Sequence, residues 1–590
     1  MANDYSKFSY EELIKYIEEL QAQLKSEKYG LYWDKNVEEE YAVSKIKNML
    51  PIFSNNKELL INNGEINNIL IEGENLHTLI GLSLVMQNNI DVIYIDPPYN
   101  TGNNDFIYND KYVDSEDGYK HSKWLNMMQK RLQLARELLK EEGVLFISID
   151  EHELFQLKIL CDSIFNEKNF VENFIWIKNS IKNLSLTTSN NHEYVLCYTK
   201  NIKKLSSLGY FKKEKPGLKD VYELINNAQI QNNSIEETTE KLKKFYKSNP
   251  QLKGISMYNN VEVDSNGNYK VFRVSDISAP ISKGSLNNYT VLHPITNKPC
   301  KVPSRGWAYS EETMKKNIEE GLIYFNKDES YVPAYKRYLN NVELEVCKST
   351  FENFDEGKRD LADVFLSNDI FNNPKPVSLI KNLLSMILNK KALILDFFAG
   401  SGTTGQAVLK LNKEDGGNRR FILCTNNENN ICTDVTYPRL KTVITGIRPD
   451  GTKYSEGIPA NLIYYKTDFI KDSNNTDQAK YCLVEKVDEL LCISEDIFIP
   501  LERNDYSSHY VSNDETRHMF IYSDYYNETK FKEFKQRVLN AAGTKVVYIF
   551  SSDNNVDGTL FEGVKDVEVK PIPSKIYEIY KEIVEDIKRG

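Results

Sequence analysis

Apolar positions along the chain fall into two alternating rhythms. Asn68-Ile69-Leu70-Ile71 reads as a strand, and helical spacing follows from about Asn75 to Met86. Val92-Ile93-Tyr94-Ile95 is a short apolar run that stops at Asp96. Trp124, Leu125, Met128, Leu132, Leu138 and Leu139 recur at helical spacing; Gly143 is read as the stop of that helix, and Val144–Ile149 as the next strand. Residues 205–360 break the pattern with short strands, turns such as Ser265-Asn266-Gly267 and scattered Lys and Tyr. It resumes with a helix over Val377–Asn389 and strands over Ala392–Leu395 and Arg420–Cys424. Further α/β pieces follow 475, with strand-like runs over Met519–Tyr522 and Val546–Phe550. Ahead of all this, Leu13, Ile14, Ile17, Leu20 and Leu24 mark an amphipathic helix over 9–27. The β-α-β repetition predicts an α/β fold: an open, doubly wound, mainly parallel sheet.

Two loops at strand ends carry the candidate chemistry. Asp396-Phe397-Phe398-Ala399-Gly400-Ser401-Gly402-Thr403 joins a strand to a helix through small residues, at the end of a strand where open sheets bind ligands. Gly400 and Gly405 have the spacing of a phosphate loop, but Gln406-Ala407 stands where Lys and Ser/Thr are required. A dinucleotide site lacks its third glycine. A carboxylate at the strand end suits a cationic ligand such as S-adenosylmethionine, and Glu428 after the next strand is placed to take ribose hydroxyls. A ligand-free strand–turn–helix is the plain alternative. Asp96-Pro97-Pro98-Tyr99 is the second loop. Its prolines fix φ and remove donors, so it offers acceptors in one rigid geometry. Adenine N6 is a poor nucleophile, and two acceptors on its hydrogens (the Asp96 carboxylate and Pro97 carbonyl) would activate it while Tyr99 stacks on the flipped base. By itself this loop has a plain alternative, a turn with a surface tyrosine.

Composition changes the picture little. The net charge of -11 argues against a uniformly basic DNA binder, yet residues 201–360 carry 25 Lys and Arg against 21 Asp and Glu. None of the eight cysteines forms a C-x-x-C pair, and His192-Glu193 has Leu196 where a zinc-protease helix needs His, so no metal is expected. No run of eighteen apolar residues and no export signal is read, so no membrane association and a cytoplasmic, nucleoid-associated location are expected.

Taken together, Tyr94–Gly102, Asp105–Asp110, Phe146–Asp150, Asn191–Tyr194, Pro374-Lys375-Pro376 and Asp396–Gly402 resemble the β-class N6-adenine DNA methyltransferases. That class includes the modification subunits of type III restriction systems and solitary enzymes of the clostridial CamA type. The resemblance covers roughly residues 29–470 and implies a class I methyltransferase (Rossmann-like) core that methylates adenine N6 in duplex DNA from S-adenosyl-L-methionine, with N4-cytosine as the alternative base. It implies Asp96, Pro97, Pro98 and Tyr99 as catalytic. Asp396, Phe397, Phe398, Ala399, Gly400, Ser401, Gly402 and Thr403 would hold the cofactor, together with Asn427 or Glu428 and with Lys375 beside its carboxylate. The organisation it suggests is an N-terminal helical segment (1–50), a catalytic half-core (51–204), an inserted target-recognition domain (205–365), a cofactor half-core (366–474) and an added C-terminal α/β domain (475–590). A homodimer or a separate restriction subunit is the implied protein partner.

Overall fold

The computed structural model describes residues 33, 40–47, 49–102, 106–109, 111–114, 116–178, 190–280, 287–352, 356–367, 369–471, 486–524, 527–550, 556, 558–572, 580 and 585. The helix expected over 9–27, Asp105, Asp110 and Cys482 lie outside these residues. One large sheet organises the molecule. Its neighbouring strands run in the order Met49–Asn55, Asn461–Lys471, Asn67–Glu72, Arg420–Thr425, Leu393–Asp396, Ile90–Ile95, Leu139–Ile149, His192–Thr199, Phe170–Ile177 and Thr350–Glu352. The six strands from Asn461–Lys471 to Leu139–Ile149 are mutually parallel. His192–Thr199 is antiparallel to both of its neighbours. Ile90–Ile95 is buried at every position, which is why Val92–Ile95 within it reads as an unbroken apolar run rather than an alternating one.

The chain leaves Leu393–Asp396 towards Arg420–Thr425 on one side and leaves Ile90–Ile95 towards Leu139–Ile149 on the other. The crevice between these two parallel strands is therefore a switch point, where ligands bind in open α/β sheets. Their register pairs Ile394 with Val92 and Leu395 with Ile93, so Asp396 falls opposite Tyr94 and Asp96 lies two residues further along the same carboxyl edge.

The helices read to Met86 and Asn389 end earlier, at Ser83 and Ser385, and the end of the long helix after Trp124 differs in kind from the sequence reading. The long helix spans Lys120–Leu138, and the strand Leu139–Ile149 begins at once, so Gly143 lies within the strand instead of ending the helix. The pairing with Ile90–Ile95 jumps here, from Ile90–Leu139 to Val92–Val144. A Cβ at Gly143 would stand 2.8 Å from Leu139 Cδ2 and 2.9 Å from the Lys140 carbonyl. Glycine is required by this crowded bulge, not by a helix stop.

Residues Phe211–Cys347 form a separate compact unit. It holds helices Leu218–Ile230 and Ile235–Ser248 and a four-stranded antiparallel sheet built on the hairpin Asn260–Val263/Tyr269–Ser275, whose turn places Gly267 at φ 82°. The C-terminal strands Ile499–Asn504, Ser507–Val511, Arg517–Tyr522, Thr544–Phe550 and Val567–Ile572 make a five-stranded sheet. One of its faces, with Met519, Ile521 and Val546, joins the hydrophobic core of the main sheet; the other packs Phe520, Val547 and Ile549 on Phe534 and Val538 of helix Glu528–Asn540. Cys161, Cys197, Cys300, Cys424, Cys432 and Cys492 are buried free thiols.

Candidate active site

The proline loop is held from behind. The indole of Trp124, itself fully buried on helix Lys120–Leu138, donates to the Pro98 carbonyl at 2.7 Å. In front of the loop lies a charged cluster. Lys375 Nζ is 2.9 Å from Asp96 Oδ1 and 3.5 Å from Glu193 Oε2. The same ammonium sits 4.6 Å above the centre of the Tyr99 ring, and the Tyr99 hydroxyl donates to Glu193 Oε2 at 3.0 Å. Lys178 closes the group by donating to the other Glu193 oxygen. Burial pushes the Asp96 carboxyl above its ordinary range, and Lys375 only partly offsets it. Burial acts on Glu193 in the same sense, but Lys375 and Lys178 together hold that carboxylate below its ordinary value. Lys375, expected beside a cofactor carboxylate, is thus placed on Asp96 and Glu193.

The glycine loop is shaped by its own side chains. Asp396, 1% exposed, accepts from the Phe398 amide at 3.0 Å and from the Thr404 hydroxyl at 2.5 Å, and burial raises its pKa to about 7. Thr436 donates to the Gly400 carbonyl at 2.6 Å. Gly402 caps the helix Thr403–Asp415 at φ 79°, a conformation other residues resist. Ser401 and Thr403 turn to Arg439, a fully buried guanidinium 2.9 Å from Ser401 Oγ, 3.1 Å from the Ser401 carbonyl, 2.8 Å from Thr403 Oγ1 and 2.7 Å from Gln406 Oε1. Burial lowers its pKa to about 10. Nothing near Ser401 or Thr403 in sequence signals this arginine.

A cavity of about 580 Å³ opens beside both loops. Pro98 and Phe398 line it, as do Asn427 and the exposed Glu428; Lys375 and the remaining glycine-loop residues do not. The sequence reading missed its third wall, Glu72-Gly73-Glu74-Asn75, at the end of the strand next to Arg420–Thr425. A signal was available, because this too is a strand, a glycine and then a helix. A Cβ on Gly73 would fall 2.0 Å from Thr467 Oγ1, so the chain can pass there only as glycine. Arg131 braces this wall by pairing with Glu74 and with Glu40, each at 2.5 Å. The volume lies within the roughly 300–1,000 Å³ range of small-molecule sites. Aromatic surface from Phe398 and Phe469 and mixed charge from Glu72, Glu428, Lys45 and Lys466 suit an aromatic, zwitterionic ligand that carries a further positive charge.

Residues 90–436 match the family model for DNA methylases acting on N6 or N4 amines, a span that takes in both loops and more than half of the chain. The chain belongs to the N6/N4 DNA methylase family. Among curated members, it is 34% identical over 392 residues to the type III restriction-modification enzyme StyLTI Mod subunit of Salmonella typhimurium, covering 62% of this chain and 53% of that protein. Against the EcoP15I Mod subunit of Escherichia coli the identity is 30% over 449 residues, covering 70% and 67%. The type II methyltransferase M.KpnI of Klebsiella pneumoniae is 30% identical over 402 residues, covering 68% and 87%. The match thus spans about half the length of the Salmonella subunit.

Proposed function

We propose that this chain transfers a methyl group from S-adenosylmethionine to the N6 amine of an adenine flipped out of duplex DNA. One observation carries the reading: Pro98 of the acceptor-rich loop and Phe398 of the glycine loop line the same cavity at the switch point of a parallel sheet. The cofactor supplies an electrophilic methyl on sulfur. The chain's own residues bind, orient and accept. Phe398, Asn427, Glu428 and the Glu72–Asn75 wall hold the cofactor. Asp396, Thr404, Thr436 and Arg439 keep the glycine turn in shape. The Asp96 carboxylate and Pro97 carbonyl take the two amine hydrogens, and Tyr99, anchored through Glu193, presents a ring face to the base. Lys375 favours the charged form of Asp96 and holds it in place, while Glu193 fixes Lys375 and Tyr99 beside it.

The relatives' names support a role in restriction-modification, with residues 205–365 as the target-recognition domain and a separate restriction subunit or a second copy as partner. The mildly basic 201–360 stretch supports DNA contact there, and the bacterial relatives support action in the cytoplasm. Asp96→Ala tests the site: transfer to DNA is lost while the cofactor dissociation constant, measured by calorimetry, stays close to that of the parent. Parallel loss of both would assign Asp96 to the cofactor instead.

A further inference from the structure

Behind the reactive loop stands a carboxyl that the transfer chemistry does not use. Glu153 lies in the turn after strand Leu139–Ile149, with none of its side chain exposed. Its Oε1 accepts from Asn100 Nδ2 at 2.5 Å and lies 2.6 Å from His121 Nδ1. Asn100 directly follows Tyr99. It is 1% exposed, sits in the left-handed region at φ 60°, and also donates to the Lys120 carbonyl at 3.2 Å. Two oxygens are left buried without a hydrogen-bond partner among the described residues: Glu153 Oε2 and Asn100 Oδ1. They belong to the two side chains that already bond to each other. A carboxylate has only acceptors to offer, whereas a protonated Oε2 is a donor. An acid–amide pair could then close as a ring, Asn100 Nδ2 to Oε1 and Oε2–H to Asn100 Oδ1, with His121 as a second donor to Oε1.

We propose that Glu153 is kept as the neutral acid and, through Asn100, is the positioning residue that fixes the Asp96–Tyr99 loop for transfer. This rests on the reading of that loop as the reactive one. The charged and titratable groups around Glu153 are Lys120 and His121 on helix Lys120–Leu138, and Asp150 and His152 in the preceding turn. Burial outweighs the Asn100 hydrogen bond, Lys120 and His152, which favour the carboxylate, and raises the Glu153 pKa to about 8. Burial also lowers the pKa of His121, with Lys120 and His152 acting in the same sense, which favours the neutral ring; its Nδ1–H tautomer donates to Glu153 Oε1.

The test compares the parent with Glu153→Gln and Glu153→Ala for methyl transfer to DNA between pH 6 and 9.5, with cofactor affinity and thermal midpoint measured alongside. Glutamine keeps both halves of the ring, since its carbonyl accepts from Asn100 and its amide donates back. Glu153→Gln therefore retains transfer at pH 7 and holds it above pH 8, where the parent declines. Glu153→Ala loses on the order of 100-fold at every pH, the effect of a loop displaced by about an ångström, with cofactor affinity kept. The folded pKa lies above the ordinary carboxyl value, so the proton's contribution to stability is complete below about 4.5 and is lost as pH rises through about 8. The parent's midpoint accordingly falls relative to that of Glu153→Gln from pH 5 to 9. The proposal is overturned if Glu153→Gln is as slow as Glu153→Ala, or if parent and Glu153→Gln decline together in alkali with parallel midpoints. A parent inactive at every pH would instead refute the function of the loop, and the midpoints alone would then decide the protonation of Glu153.

Discussion

Replacing Lys375 with methionine keeps the bulk of the side chain and removes its charge, which makes it the sharpest probe of how Asp96 is held. At the observed 2.9 Å, with an effective dielectric of about 20, the Lys375–Asp96 attraction is ~6 kcal/mol; the Glu193 contact at 3.5 Å gives ~5 kcal/mol. A quarter of the Asp96 side chain reaches solvent, so screening removes much of this, and about 3 kcal/mol is a reasonable effective loss. Each 1.36 kcal/mol makes the ionised form about tenfold scarcer relative to the acid, so the Asp96 carboxylate becomes roughly 100-fold harder to keep. Burial already pushes Asp96 towards protonation, and losing the cation acts in the same direction. Methyl transfer by Lys375→Met, followed by label incorporation at saturating cofactor, is therefore depressed by up to ~100-fold at pH 7 and recovers as pH rises, with its acid limb displaced towards alkali. An acid limb that stays in place, combined with weakened cofactor binding, would refute this reasoning and return Lys375 to the role read from the sequence.

Two further substitutions address the glycine loop. Arg439→Met leaves the Ser401 and Gln406 oxygens it bonds without their donor, costs about 1–3 kcal/mol in urea unfolding and weakens cofactor binding in calorimetry. Unchanged stability would show that those oxygens find other donors. At Gly405 an added Cβ would stand 2.6 Å from Leu440 Cδ2 and 3.0 Å from Leu423 Cδ1, so Gly405→Val lowers stability by about 1–3 kcal/mol; a neutral result would mean that the helix Thr403–Asp415 can lift off the sheet at little cost.

The strands and both loops were legible because buried parallel strands are written as unbroken apolar runs, and each of the two decisive ones ends at an aspartate. Their adjacency was legible only through the family resemblance, since 300 residues separate Asp96 from Asp396 in the sequence. The surroundings of Asp96 were harder to read. Glu193 arrives on a strand two places away in the sheet, and Lys375 from the segment before helix Val377–Ser385, so no local pattern ties them to the proline loop. Gly143 misled because a glycine after a helical run reads as a stop, whereas its real constraint is a backbone bulge that exists only once Ile90–Ile95 has paired with it. Glu153 and Asn100 were equally silent, because a buried acid is recognised by its neighbours and not by its spacing.

The central claim is the base and atom that receive the methyl group. Unmethylated bacterial genomic DNA incubated with the chain and isotopically labelled S-adenosylmethionine, then digested to nucleosides and separated, tests it most directly. The account predicts label in N6-methyl-2′-deoxyadenosine from the parent and none from Asp96→Ala. Label in N4-methylcytosine, or none in any nucleoside, would contradict it.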